Sequence, residues 1–153
     1  MKTHCHTLRF KTKKFMDFID ITDEIKNLIK KRKIKDGLVT IFSKHTTAAV
    51  RINEKEKGIF KDFKIIVQTL FPPKKYYHHN DLSIRTENLV CEVGASDCIN
   101  GHSHCLHLLM GATSEFIPIM NKELTLGTYQ RIFLIELDCA RRREVLVQII
   151  AED

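Results

Sequence analysis

RIFLIELD, Arg131–Asp138, and, after a short arginine-rich break, EVLVQII, Glu144–Ile150, decide how this chain is read. Both runs are dense in Ile, Leu, Val and Phe, residues that fit a pleated, packed surface, and the break between them reads as a turn. Before them come two shorter strand-like runs, Glu115–Ile119 and Leu124–Leu126, punctuated by Pro118, Asn121 and Gly127. A C-terminal third built from strands without regular βαβ alternation points to antiparallel sheet in an α+β fold.

Toward the N-terminus, His4–Phe10 and Phe15–Ile21 alternate enough to be strands and together suggest an opening hairpin. Thr22 stands as a helix N-cap ahead of Asp23 and Glu24, and Ile25, Leu28 and Ile29 form an apolar stripe at helical spacing. Lys30–Lys33 fall in the last turn of that helix, where cations complement the carbonyl end of the dipole, so the basic run KKRKIK has a structural explanation before a ligand-binding one. Gly37–Ser43 and Thr47–Ile52 are β-rich. From Glu56 to Phe71, apolar residues recur at helical spacing until Pro72-Pro73 stops the pattern. A polar, irregular stretch to about Asn88 has the character of a functional loop, and Ser103–Met110 fits a short helix ending at Gly111 with Leu106, Leu109 and Met110 facing inward. The expected order is ββαββααβββ, in one domain over residues 1–153.

With 153 residues and 43% hydrophobic content the chain can bury its own core without staples. Five cysteines, Cys5, Cys91, Cys98, Cys105 and Cys139, make an odd set with no CxxC pair, which argues against a closed disulfide framework and against a cysteine zinc site. The seven-residue spacing of Cys91, Cys98 and Cys105 is interrupted by Gly94 and Asn100-Gly101, so it marks no continuous helix. No run approaches a membrane span or a signal-peptide core, so the expected location is the cytoplasm, with no membrane partner. A net charge of +6 favours anionic partners. Basic residues are not interleaved with aromatics, which leaves nucleic acid a minor candidate.

Histidines cluster in three polar stretches: HTTAAVRINE (His45–Glu54), YYHHND (Tyr76–Asp81) and NGHSH (Asn100–His104). Histidine titrates near neutrality and ligates metals, so three such stretches on separate elements suggest one convergent site. At NGHSH the free amides of a helix N-terminus suit a phosphate or carboxylate oxygen, and Gly101 permits close approach. His102 and His104 diverge at a helix start, so one of them enters the site. The hydroxyls of Thr46 and Thr47 suit an oxyanion or a turn. Gln130, Ile132, Leu134, Glu136 and Asp138 share one strand face. Carboxylates there need partners, and Arg141, Arg142 and Arg143 are at hand.

Taken in order, HTTAAVRINE, YYHHND, NGHSH with Gly111 and Ser114, IPI (Ile117–Ile119), LGTYQRI (Leu126–Ile132) and ELD (Glu136–Asp138) resemble the YjbQ-like family, whose members are described as secondary thiamine-phosphate synthases. The resemblance covers nearly the whole chain. It implies an α+β fold of antiparallel β-sandwich character that assembles as a homotrimer, the sheets packing about the threefold axis and the sites near subunit boundaries. It places the family's histidines at His45, His79 and His104, with His78 and His102 as neighbours, and puts Tyr129 where the motif usually has tryptophan.

The reaction so implied joins hydroxymethylpyrimidine diphosphate to thiazole phosphate and releases pyrophosphate, with Mg²⁺ assisting. The catalytic candidates are His45, His104 and Glu136. Thr46, Thr47, Asn100, Gly101, Ser103, Gln130 and Arg143 are candidates for holding substrate phosphate, and Tyr129 for facing a heterocycle. Two alternatives stand beside it: a hydrolase-like zinc site formed by His45, His79 and His104 with an open fourth position, and a non-catalytic trimer that binds a phosphorylated ligand.

Overall fold

A computed structural model describes residues 1–89, 99–110 and 113–151. Expectations at Cys91, Gly94, Cys98 and Gly111 lie outside the described residues. The elements run β1 (Lys2–Lys11), β2 (Phe18–Asp20), α1 (Thr22–Arg32), β3 (Gly37–Ser43), β4 (Ala48–Glu54), α2 (Lys57–Leu70), a 3-10 turn (His78–Asn80), α3 (Gly101–Met110), β5 (Ser114–Met120), β6 (Glu123–Leu124), β7 (Gln130–Glu136) and β8 (Arg142–Ala151). All four strand-like runs read in the C-terminal third are strands, Leu124–Leu126 as the two-residue β6 that pairs back on β5 through a tight turn, so the order there is ββββ where the expected order has βββ.

The strands form two antiparallel sheets, a five-stranded one in the order β1-β8-β3-β5-β6 and a three-stranded one in the order β2-β7-β4. They stack face to face around one cluster to which β8 gives Val145, Val147 and Ile149, β3 Val39 and Ile41, and β7 Ile132 and Leu134. Helix α1 buries Ile25 and Ile29 in the same cluster. On the other face of the small sheet Ala49, Phe133 and Ile135 meet Val67 of α2 and Leu106 of α3, giving a sheet–sheet–helix arrangement. Strand β7 lies in the middle and is buried on both faces, which is why RIFLIE shows no alternation. At Gly37 the backbones approach so closely that a Cβ would lie 2.3 Å from the Ile150 carbonyl oxygen.

Three local expectations are corrected. β1 and β2 do not form a hairpin: β1 pairs with β8 and β2 with β7, in different sheets. Alternation identified both strands but carries no information about the partner. Thr22 is not the N-cap of α1, which is Ile21. The Thr22 hydroxyl donates to Asp20 Oδ1 at 2.7 Å and accepts from the Ile132 amide at 2.8 Å, tying the helix start to β7. Leu109 does not face inward; it is exposed at the rim of a groove between α2 and α3, while Leu106 and Met110 pack inward as expected. Helix α2 is the amphipathic helix expected, with the Glu56 carboxylate accepting the Gly58 and Ile59 amides at 2.6 and 2.8 Å. Among the described residues no helix is long and apolar enough to cross a membrane.

Candidate functional site

The 3-10 turn of YYHHND docks onto the first turn of α3, and Gly101 makes the docking possible. A Cβ on Gly101 would meet Tyr77 Cβ at 2.7 Å and His79 Cβ at 3.1 Å. The Gly101 amide donates to Asn80 Oδ1 at 2.8 Å, and the Asn100 carbonyl accepts the Ser103 and His104 amides at 2.9 and 3.3 Å. The close approach that glycine permits is therefore that of the chain's own turn, and its amide is already engaged. Arg85 fixes the same loop from outside, donating to the His79 and Asn88 carbonyl oxygens, each at 2.7 Å.

This docking brings His79 and His104 together, with ring centroids 4.5 Å apart. Asn100 Nδ2 donates to Asp138 Oδ2 at 2.9 Å, so its Oδ1 faces His79 Nε2 at 3.1 Å and takes the ring proton. The His79 lone pair is thereby left on Nδ1. Burial pushes the pKa of His79 down, aided by the charge of Arg85; burial does the same at His104, aided by His79 itself. Both rings are thus neutral at neutral pH, a state in which each has one N–H and one lone pair.

Behind the pair lies a charge network. Arg141 donates through Nε and Nη2 to Asp138 Oδ2 at 3.2 and 2.7 Å. The Asp138 amide donates to Glu136 Oε1 at 3.0 Å, and Glu136 is fully buried. The Arg143 guanidinium grips both Glu136 oxygens, with Nε at 2.7 Å from Oε2, and its Nη2 reaches Thr47 Oγ1 at 3.0 Å. Thr12 completes the shell by donating to Glu136 Oε2 at 2.7 Å. Glu136 and Arg143, expected as catalytic and phosphate-binding residues, are held within the scaffold by each other. The pairing of the ELD carboxylates with the following arginines, anticipated from sequence, is what the chain adopts.

The remaining candidates are dispersed. His45 Nε2 accepts the Glu144 amide at 2.8 Å, which puts its proton on Nδ1 and leaves no lone pair open in this state. Burial and the nearby Arg143 charge lower its pKa. Thr46 is exposed in the β3–β4 turn, Thr47 is buried on Arg143, and Ser103 is fully buried with its hydroxyl 3.2 Å from His102 Nε2. His102 itself lies between Phe15 and Tyr77, and exposed His78 packs on Tyr76. Tyr129 and Gln130 stand at the start of β7, about 20 Å of strand from Glu136. Among the described residues no three His, Cys, Asp or Glu side chains are placed to hold one metal ion. Asn80 and Thr12 were not singled out from sequence; the adjacency of Asn80 to the histidine pair in HHND was the available signal for the first, and nothing marked the second.

The family model described as UPF0047 protein YjbQ-like matches residues 6–152. The chain belongs to the YjbQ/UPF0047 family. It is 34% identical over 143 residues to a UPF0047 protein of Archaeoglobus fulgidus, covering 94% of this chain and 98% of that one. A UPF0047 protein of Methanothermobacter thermautotrophicus is 30% identical over 149 residues, 97% of this chain and 93% of the relative. Among solved structures, a YbjQ-like protein of unknown function from Sulfolobus solfataricus superposes with a TM-score of 0.83 at 29% identity over 99% of both chains. A YjbQ/UPF0047 family protein from Clostridium acetobutylicum gives a TM-score of 0.78 at 31% identity, over 95% of this chain and 99% of that one. The antiparallel α+β architecture is that of YjbQ/UPF0047 proteins.

Proposed function

We propose that this YjbQ/UPF0047 protein acts as a transferase of the secondary thiamine-phosphate synthase type, joining hydroxymethylpyrimidine diphosphate to thiazole phosphate. The observation that carries this reading is the His79–His104 pair: two imidazoles in contact, one with its Nε2 engaged by Asn100 and its lone pair on Nδ1. In the reaction the thiazole nitrogen attacks the methylene carbon of the pyrimidine, the C–N bond forms, and the C–O bond breaks with its electron pair leaving on pyrophosphate. A hydrogen-bond donor at that oxygen stabilises the developing charge. His104, whose ring makes no hydrogen bond to a described residue, supplies its N–H there, and His79 Nδ1 accepts from substrate.

Mg²⁺ enters this account with the diphosphate, as part of the substrate. A resident ion does not fit, since Glu136 and Asp138 are already taken by Arg143 and Arg141. The zinc-hydrolase alternative has no third ligand beside His79 and His104 among the described residues in its favour. The proposal includes self-association as a homotrimer, supported by the outer face of the large sheet, where Leu38, Phe42, Phe116, Met120 and Ile150 are exposed together. Tyr129 and Gln130 then act across a subunit boundary. The proposed setting is the cytoplasm, in keeping with the free thiols of Cys5, Cys105 and Cys139.

The test is histidine-ring NMR during addition of each phosphorylated precursor. The reading expects the His79 and His104 signals to shift and those of His4 and His6, on β1, to stay in place. Shifts confined to other histidines, or none at saturating precursor, overturn it.

A further inference from the structure

Away from the histidine pair, a second cleft of about 840 Å³ opens between the C-terminal end of α1 and the β5–β6 turn. Lys26, Lys30, Lys33 and Lys122 line it, with Glu123 as the one carboxylate on its wall among the described residues and Ile29, Ile34 and Leu124 as its apolar floor. Among the described residues none of the four lysines is paired with a carboxylate; the ion pair beside them belongs to Lys35 and Asp36. The cleft is firmly built. The Lys33 amide donates to the Lys30 carbonyl at 3.1 Å, the Asn121 amide to Asp36 Oδ1 at 2.9 Å, and the Lys122 amide to the Lys35 carbonyl at 2.8 Å.

Two of these lysines sit where the backbone favours another residue. Lys33 ends α1 at φ 54°, the left-handed position usually given to glycine, and Lys122 has φ 72° in the two-residue turn Asn121-Lys122, where Asn-Gly is the preferred pair. Placing lysine at both costs backbone free energy, and both side chains border the same cleft. The dipole of α1 accounts for cations near its end but not for Lys122, which belongs to a different element. Among the described residues, four ammonium groups against one carboxylate leave a net three positive charges, matching a diphosphate near neutral pH. Among the described residues no aromatic side chain lines the cleft, so these residues offer no stacking platform for single-stranded nucleic acid.

We propose that this cleft is a binding site for small di- or oligophosphate anions, distinct from the His79–His104 pair and independent of the reaction assigned to it. The test is calorimetric titration of the full chain with inorganic pyrophosphate at low ionic strength, comparing wild type, K33G/K122G and His104→Ala. The wild type and His104→Ala share a saturable pyrophosphate isotherm of equal affinity, that of the cleft. K33G/K122G binds about tenfold more weakly or not at all. Both changes suit the left-handed backbone, so the variant's Tm is at or above the wild-type value and the loss is not one of folding. Absence of saturable binding by the wild type, or equal binding by K33G/K122G, overturns the proposal. Capture of a single-stranded RNA oligomer in place of pyrophosphate overturns it as well.

Discussion

Arg143→Met separates the scaffold role of Arg143 from the phosphate-binding role that sequence alone suggested. In the structure Arg143 is buried and Glu136 fully so, and the guanidinium supplies hydrogen bonds to both carboxylate oxygens. Removing it leaves Glu136 with only the Thr12 hydroxyl and the Asp138 amide, at 2.7 and 3.0 Å. Stranding one member of a buried pair costs about 3–5 kcal/mol. For a chain of this length that corresponds to a fall in Tm of about 10 °C. Replacing both residues, as Glu136→Leu with Arg143→Met, removes the stranded charge and recovers at least about 2 kcal/mol relative to the sum of the single changes. Thermal and urea unfolding at neutral pH, followed by circular dichroism, give all three values. A single-variant cost under about 1 kcal/mol, or strict additivity in the double variant, refutes the reasoning. An Arg143 devoted to substrate phosphate would lower affinity and leave Tm nearly unchanged.

Gly101→Ala forces a Cβ to within 2.7 Å of Tyr77 Cβ, so the 3-10 turn and α3 must separate; a loss of about 1–3 kcal/mol in stability and of the His79–His104 ring contact, read by unfolding and by NMR, is expected. At Asp20 burial raises the carboxyl pKa, but hydrogen bonds from Thr22, Arg131 and Lys55 outweigh it and hold the group well below the ordinary carboxylate range. Its contribution to stability is therefore full above the unfolded value near about 4 and is lost as pH falls below it. Unfolding curves of Asp20→Asn taken from pH 5 downward should be flatter than those of the wild type, and parallel curves would contradict this. Burial lowers the pKa of His102 and His104, so the fold binds fewer protons than the unfolded chain. Stability should decline as pH falls through about 6.5, and the His102→Gln/His104→Gln variant should show a shallower decline between pH 8 and 5.

The strands were legible because their composition is extreme: the structure buries RIFLIE on both faces and EVLVQII through Val145, Val147 and Ile149. Pairing was not, since β1 and β2 follow one another in sequence yet join different sheets, and a strand's own residues do not name its neighbour. At the site, the ordered motifs pointed to the family and to His45, His79 and His104 as one convergent set; the structure brings His79 and His104 into contact. The motifs did not separate that pair from His45, whose Nε2 is engaged by the Glu144 amide across 99 residues of sequence. Glu136 was recognised as a buried carboxylate in need of a partner, and the partner proved to be Arg143. What remained hidden was the role of Thr12 and Asn80, since a hydroxyl or amide acquires meaning only from what folding sets against it.

The most direct test of the central claim is formation of thiamine phosphate from hydroxymethylpyrimidine diphosphate and thiazole phosphate with Mg²⁺, comparing wild type with His104→Ala at matched folded concentration. The account predicts turnover by the wild type and a loss of about 10²–10⁴-fold in the variant. No product above background from the wild type, or equal turnover by His104→Ala, would contradict it.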